Sequence, residues 1–203
     1  MSDSIKHECG VAMLRLLKPL AYYQEKYGSS LYGLNKMYLL MEKQHNRGQD
    51  GVGLANIKLN IDPGKRYISR KRSVATNPIQ DVFRQVNKRF VELEANDPEK
   101  LKDPHWMKEN MPFTGELFLG HLRYGTFGGN TIEQCHPFLR QSNWKTRNLV
   151  LAGNFNMTNV DELFQQLVDL GQHPKQKADT VTILEKIGHF LDEANDDIYY
   201  KHK

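Results

Sequence analysis

A chain of 203 residues with 39% hydrophobic and 26% charged side chains and a net charge of +4 suits a single domain with a real core. No apolar run approaches the roughly 18 residues that a membrane span needs, and the polar leader "MSDSIKHE" lacks the apolar stretch of a secretory signal. Two cysteines cannot make a disulfide framework, and Cys9 and Cys135 are not spaced as a zinc or iron–sulfur site requires; a reducing, cytoplasmic setting with no membrane partner is expected. In chain order, Cys9–Leu17 reads as an apolar strand bounded by Pro19. Leu31, Leu34, Tyr38 and Met41 recur at helical spacing and predict an amphipathic helix over 30–44. "NRGQDGVG" is a glycine-rich turn leading into a second strand, "GVGLANIKLN". Asp62-Pro63-Gly64 reads as a tight turn into a third, "RYISRKR". The basic run "KRYISRKR" at 65–72 permits contact with phosphates or nucleic acid, but a run like this is usually a solvated strand face. No nucleic-acid partner is expected, because aromatic residues are not interleaved with it.

Residues 76–112 break the rhythm. Ile79, Val82, Phe83, Val86 and Phe90 line one helix face, and the charged stretch with Pro98 and Pro104 that follows reads as a surface loop, so the segment is expected to be an insertion. "ELFLGHLRYG" is the next strand, ending on Arg123-Tyr124. A glycine-bearing loop leads to "HPFLR", and "NLVLAGNFN" reads as a buried strand that stops at Asn154. Thr158 or Asn159 is placed to cap the next helix, with Asp161 or Glu162 completing a capping box. Its core face would be Val160, Leu163, Phe164, Leu167 and Val168, and Gly171 would end it. A last helix starts near Asp179 and carries Ile183, Leu184, Ile187 and Leu191. Strands and helices do not alternate as βαβ units, so helices layered on antiparallel sheet, an α+β class, fits best.

Four features could carry chemistry. A cysteine attacks as thiolate, and a free thiol near pKa 8.5 is little ionised at neutral pH. It needs a base, and no local signature of a Cys–His protease surrounds either cysteine. A cysteine at a chain terminus has one of its own, because an α-amino group titrates near ~7.7–8.0. For Cys9 this requires removal of residues 1–8; the bland alternative is that Cys9 is a core thiol. "LAGNFN" sets an asparagine amide and a following backbone N–H at a strand end, where an oxyanion would need donors, or where a plain turn would sit. Arg123 is either a bidentate carboxylate grip or a surface arginine. Asp179 could bind an ammonium or cap a helix.

Taken together, "CGVAMLR", "QHNRGQDGVGLA", "GHLRYGTFG", "HPF" and "LVLAGNFNMTNVDELF" resemble, in order, the motifs of class II glutamine amidotransferases, which are N-terminal-nucleophile hydrolases. The pattern is most similar to the glutaminase half of amidophosphoribosyltransferases; "RYGT" fits it better than the glucosamine-phosphate synthase pattern, and asparagine synthetase is the other alternative. The resemblance implies a four-layer αββα sandwich, a propeptide at 1–8 and a glutaminase domain over 9–203. It implies that Cys9 attacks the glutamine side-chain amide with its own α-amino group as base. Asn154 and the backbone N–H of Phe155 would form the oxyanion hole. Arg47 would lie beside the nucleophile while Asp50 shapes the turn. Arg123 would pair with the substrate α-carboxylate, Tyr124 and Thr126 would line the pocket, and Asp179 would take the α-amino group. The ammonia would pass to a C-terminal phosphoribosyltransferase domain, absent here, to form phosphoribosylamine for purine synthesis. A homo-oligomer is implied, with no cofactor in this chain and feedback sites elsewhere.

The chain departs from the family in three places. Phe155 stands where the family has glycine in His-Asn-Gly-Asn; its N–H survives, though a left-handed backbone there would cost about 1–2 kcal/mol. Asn46 is an extra residue inside "QHRGQD". The family's domain continues with further strands after the Asp179 helix, so the chain reads as part of a longer protein, and on its own it is expected not to make phosphoribosylamine. A non-catalytic relative that kept the fold is the remaining alternative.

Overall fold

The computed structural model of the chain describes residues 8–125, 131–154 and 157–203. These form two compact units, 1–137 and 138–203, each taken by itself below.

The first unit begins with strand β1 (Gly10–Arg15) and helices α1 (Leu20–Tyr27) and α2 (Tyr32–Lys43). A single 3-10 turn, His45–Arg47, leads to β2 (Gly51–Ile57) and β3 (Ile68–Ser73). Three helices follow, α3 (Pro78–Asn96), α4 (Pro98–Lys102) and α5 (Pro104–Asn110), and then β4 (Leu117–Arg123). The four strands make one antiparallel sheet in the order β1-β4-β2-β3. Chain order and sheet order differ because β4, the last strand made, inserts between β1 and β2.

Side chains alternate across a strand, and the sheet uses its two faces differently. On one face Val52, Leu54, Phe118 and Leu122 pack with Leu34, Met37 and Met41 of α2 and Val82, Val86 and Phe90 of α3. The helix face predicted for residues 79–90 is the one that is buried. Glycines let the helices approach: a side-chain carbon on Gly120 would lie 2.5 Å from Met37 Cε, and one on Gly33 would lie 2.7 Å from the Phe118 ring. On the other face Gly51 and Gly53 leave a channel occupied by residues 135–137. That segment is held from below by β3, since Arg70 donates to the Pro137 carbonyl (3.2 Å) and Arg72 to the Cys135 carbonyl (3.0 Å).

One expectation for this unit needs correction. The stretch 97–112 is not a surface loop. Pro98 and Pro104 each open a helix at the position where a missing N–H costs nothing, and Asp103 caps the second by accepting from His105 and Trp106 N–H (2.9 and 3.0 Å). Met107 is thereby buried in the core. Helix α1 was not anticipated, because it has no long apolar stripe to reveal it. Its packing is aromatic: Tyr23 stacks on Tyr32 at 4.9 Å and Tyr27 on Tyr32 at 4.4 Å. Gly28, at φ 72°, ends it. The predicted turn at Asp62–Gly64 does form, with Lys65 N–H donating to the Asp62 carbonyl (3.3 Å) and Gly64 at φ 84°.

Just past β2, Lys58 is only 3% exposed. Burial, with Lys108 and Arg66 nearby, pushes its amine down to about 8. Among the described residues no carboxylate pairs with it; Glu116 instead accepts from Lys108 (2.5 Å) and from Leu59 N–H (2.9 Å). The unfolded chain therefore binds a proton more readily than the folded one between about pH 8 and the ordinary lysine value of 10.5. Stability rises with pH across that window, and the cost of the buried ammonium is fully present below it. Lys58→Met is expected to stabilise the chain at pH 7 by about 1–3 kcal/mol, and the gain should shrink at pH 10. Urea unfolding at the two pH values checks this; an equal gain at both would mean that packing, not charge, is responsible.

The second unit pairs β5 (Phe138–Arg140) with β6 (Leu149–Leu151) as an antiparallel ribbon. Helices α6 (Val160–Asp169) and α7 (Asp179–His202) follow. The antiparallel sheets and their helices bear out the α+β class. The strand expected to be buried at 148–156 is shorter and only half-buried. No side chain caps α6: Asn159 stands at the cap position without a capping bond, and Asp161 pairs with Lys177 (2.9 Å). Of the expected α6 core face, Leu167 is buried and Val168 is exposed. Gly171 ends the helix as predicted, at φ 84°. Arg140 ties the ribbon to α7 through Glu185 (3.2 Å) and Asp192 (2.5 Å), and Gly188 leaves room for its guanidinium.

Candidate active site

The register that sets Gly10 opposite Leu122 brings Cys9, at the head of β1, to the tail of β4. Tyr124 N–H points at the Cys9 sulfur over 3.4 Å. Cys9 is partly exposed, whereas Cys135 is buried and its burial pushes that thiol up. The chain thus has one accessible and one inert sulfur, and Cys9 is not a core thiol.

Three features shape the surroundings of Cys9. A side chain on Gly10 would meet Arg47 Cβ at 3.3 Å, so Arg47 lies beside the head of β1 next to Cys9, with its own side chain exposed. Gly48 passes against the Arg123 backbone, where any Cβ would come within 2.6 Å. Asp50 then clamps the end of β4 from both sides: its N–H donates to the Arg123 carbonyl (3.1 Å) and its Oδ2 accepts from Gly125 N–H (2.7 Å). The inserted Asn46 is absorbed in the 3-10 turn His45–Arg47.

Arg123 is 8% exposed, which overturns the alternative of a surface arginine. Its Nη2 donates to Gln134 Oε1 at 2.8 Å. The sequence pattern missed Gln134, since nothing local marks a residue whose partner is eleven positions upstream.

The second unit carries the other two described candidates. Asn154 is exposed, three residues past the end of β6. Asp179 is the first residue of α7, while Ala178 holds the cap position, so the helix-cap alternative for Asp179 does not hold. Its Oδ2 accepts from Met157 N–H (2.9 Å). Thr126 and Phe155 lie outside the described residues. Among the described residues no three His, Cys, Asp or Glu side chains gather as a metal site would require, and no helix is long and apolar enough to cross a membrane.

A cysteine at the head of a strand, with a backbone N–H from the neighbouring strand beside it, and the ordered motifs around it resemble the arrangement of glutamine amidotransferase domains of the N-terminal-nucleophile class. Among known proteins, the chain is similar to amidophosphoribosyltransferases. It is 28% identical over 159 residues to the one from Archaeoglobus fulgidus, covering 78% of this chain and 27% of that protein. It is 25% identical over 185 residues to amidophosphoribosyltransferase 3, chloroplastic, from Arabidopsis thaliana, covering 91% and 26%. Among solved structures, the glutamine phosphoribosylpyrophosphate amidotransferase from B. subtilis complexed with ADP and GMP is 25% identical, with a TM-score of 0.47, over 74% of this chain and 25% of that one. No protein-family model matches. The chain spans well under half the length of the curated relatives it matches, for instance 17% and 38%.

Proposed function

We propose that the chain is the glutaminase domain of an amidophosphoribosyltransferase, with residues 1–8 as a propeptide and Cys9 as the nucleophile once it is the first residue. The observation that carries this reading is the Cys9 sulfur set 3.4 Å from Tyr124 N–H, next to the buried Arg123.

In this reading the α-amino group of Cys9 takes the thiol proton as the sulfur attacks the side-chain amide carbon of glutamine. The oxyanion is held by the Asn154 amide and the Phe155 N–H. The resulting ammonium returns its proton to the departing nitrogen, and ammonia leaves. Water then cleaves the thioester to give glutamate and the free thiol. Arg123 grips the substrate α-carboxylate. Gln134 takes one of its five N–H donors and fixes the direction of the guanidinium without bringing an opposing charge. Asp179 offers its carboxylate to the α-ammonium, and Tyr124 and Thr126 line the pocket. The ammonia serves a phosphoribosyltransferase domain that makes phosphoribosylamine for purine synthesis.

The glutamine analogue 6-diazo-5-oxonorleucine tests this. A chain that begins at Cys9 is expected to be labelled on Cys9 alone, and a chain that begins at Met1 is expected to stay unlabelled. Labelling of the Met1 form at the same rate, or failure to label the Cys9 form, would sink the reading.

A further inference from the structure

The basic run at 65–72 has no role in the glutamine site, and the fold sets a small pocket beside it. Strand β3 is the last strand of its sheet, and α3 packs along it. Between them lies a cavity of about 120 Å³ bordered by Arg66, Ser69, Lys71, Arg89 and Phe113. A water takes about 10–15 Å³ of such a space, so the cavity admits a group several waters in size and is too small for a nucleotide.

Three features of this cavity point to an anion. First, the charge is one-sided. None of the residues lining it is acidic, and among the described residues no ion pair neutralises Arg66, Lys71 or Arg89. Asp81, one turn before Gln85 on α3, is already engaged by Ser73 Oγ (2.6 Å), Arg84 (2.5 Å) and Gln85 (2.6 Å). Arg70 also borders the cavity, but its guanidinium is turned to the Pro137 carbonyl on the opposite face. Second, Ser69, on the same face as Lys71 by strand alternation, is 1% exposed, and its hydroxyl has no hydrogen-bond partner among the described residues. A buried hydroxyl left unpaired calls for a bound water or ion. Third, Phe113 is held at φ 62° in the cavity wall, a conformation uncommon for a bulky residue and of the kind that collects at ligand sites. Arg66 is fixed for the task, its Nε–H donating to the Ile68 carbonyl (3.0 Å).

We infer that the β3–α3 cavity binds a phosphate group, with Lys71, Arg89 and Arg66 supplying the charge and the Ser69 hydroxyl a hydrogen bond. The class of ligand is inorganic phosphate or a small phosphate monoester. The cavity holds one phosphate and presents no row of aromatic faces for bases to stack on, which disfavours a single-stranded nucleic acid. This site lies apart from Cys9 and does not depend on the glutaminase reading.

Calorimetric titration of the 203-residue chain with inorganic phosphate, at fixed ionic strength against chloride, tests it. Saturable binding at one site is expected, with ribose 5-phosphate bound comparably. Lys71→Gln together with Arg89→Gln should weaken phosphate at least about tenfold, since hydrogen bonds to charged groups are at stake. Unchanged affinity in that variant would overturn the proposal, as would a short single-stranded oligonucleotide binding more tightly than either phosphate. Should the double variant fail to fold, Ser69→Ala decides: it leaves the charge in place, and it should weaken phosphate while leaving the melting temperature in chloride undiminished. Equal phosphate affinity in Ser69→Ala would also overturn the assignment.

Discussion

Replacing Cys9 with alanine in a chain that begins at residue 9 should remove glutamine hydrolysis, lowering turnover by about a thousandfold or more, as loss of a covalent nucleophile does. The fold should not notice. Cys9 is partly exposed, and its hydrogen bonds among the described residues are the weak ones to the Tyr124 backbone, at 3.4 and 3.9 Å. Thermal unfolding of the variant should therefore match the parent, which separates lost chemistry from lost structure. Unprocessed chain should be equally inactive for a different reason. In it the Cys9 nitrogen is an amide bonded to Glu8, which cannot accept a proton at neutral pH, so the sulfur is present and its base is not. Measuring ammonia release from the processed, unprocessed and Cys9→Ala chains, with the mass of each confirmed, gives the comparison. Activity in the unprocessed chain would show that some other group serves as base and would remove the reason for a propeptide.

Gly53→Ala should be among the most damaging single-methyl changes in the chain. The new carbon would sit 1.8 Å from the His136 carbonyl oxygen and 2.9 Å from the Pro137 ring. Neither side can yield easily. Gly53 lies in β2, which is hydrogen-bonded to β3 on one edge and β4 on the other. The segment above it is anchored by the Arg70 and Arg72 guanidinium groups. A loss of about 3 kcal/mol or more is expected, at the upper end of overpacking costs, and would be read as a fall in the urea midpoint or as failure to accumulate folded protein. Gly64→Ala is the control. Gly64 has φ 84° with nothing within 4 Å of a new side chain, so it should show only the backbone term, about 1–2 kcal/mol. Similar losses in both would mean that the channel over Gly53 opens without strain.

The parts of this protein that were legible in its sequence are those with a local period or a long, ordered set of motifs. The buried stripe of α3, from Ile79 to Phe90, follows from helical spacing, and the strands at β1, β2 and β4 follow from apolar runs between turns. The resemblance to amidotransferases rested on five short motifs in order, and the relatives agree with it. Errors fell where local signals mislead. Pro98 and Pro104 look like breaks in a loop but serve as helix starts, because proline suits a first turn as well as it suits a loop. The expected capping box did not form: Asn159 holds the cap position without a side-chain bond. Helix α1 was missed because tyrosine stacking, not an apolar stripe, buries it.

By itself, then, the sequence marked the strands β1, β2 and β4 and the helices with an apolar stripe, named Cys9 and Arg123 as candidates and left each with a bland alternative. Tertiary structure removed the surface position for Arg123, buried against Gln134, and put Ala178 rather than Asp179 at the cap of α7. It also decided what no local pattern encodes: the crossing of residues 135–137 over Gly51 and Gly53, and the closing of α3 over the basic strand so that Lys71 and Arg89 face one cavity with the Ser69 hydroxyl. The physical reason is one of range. Propensity and periodicity act over a few residues, whereas Cys9 and Tyr124 meet 115 positions apart only because antiparallel register places the head of one strand at the tail of another.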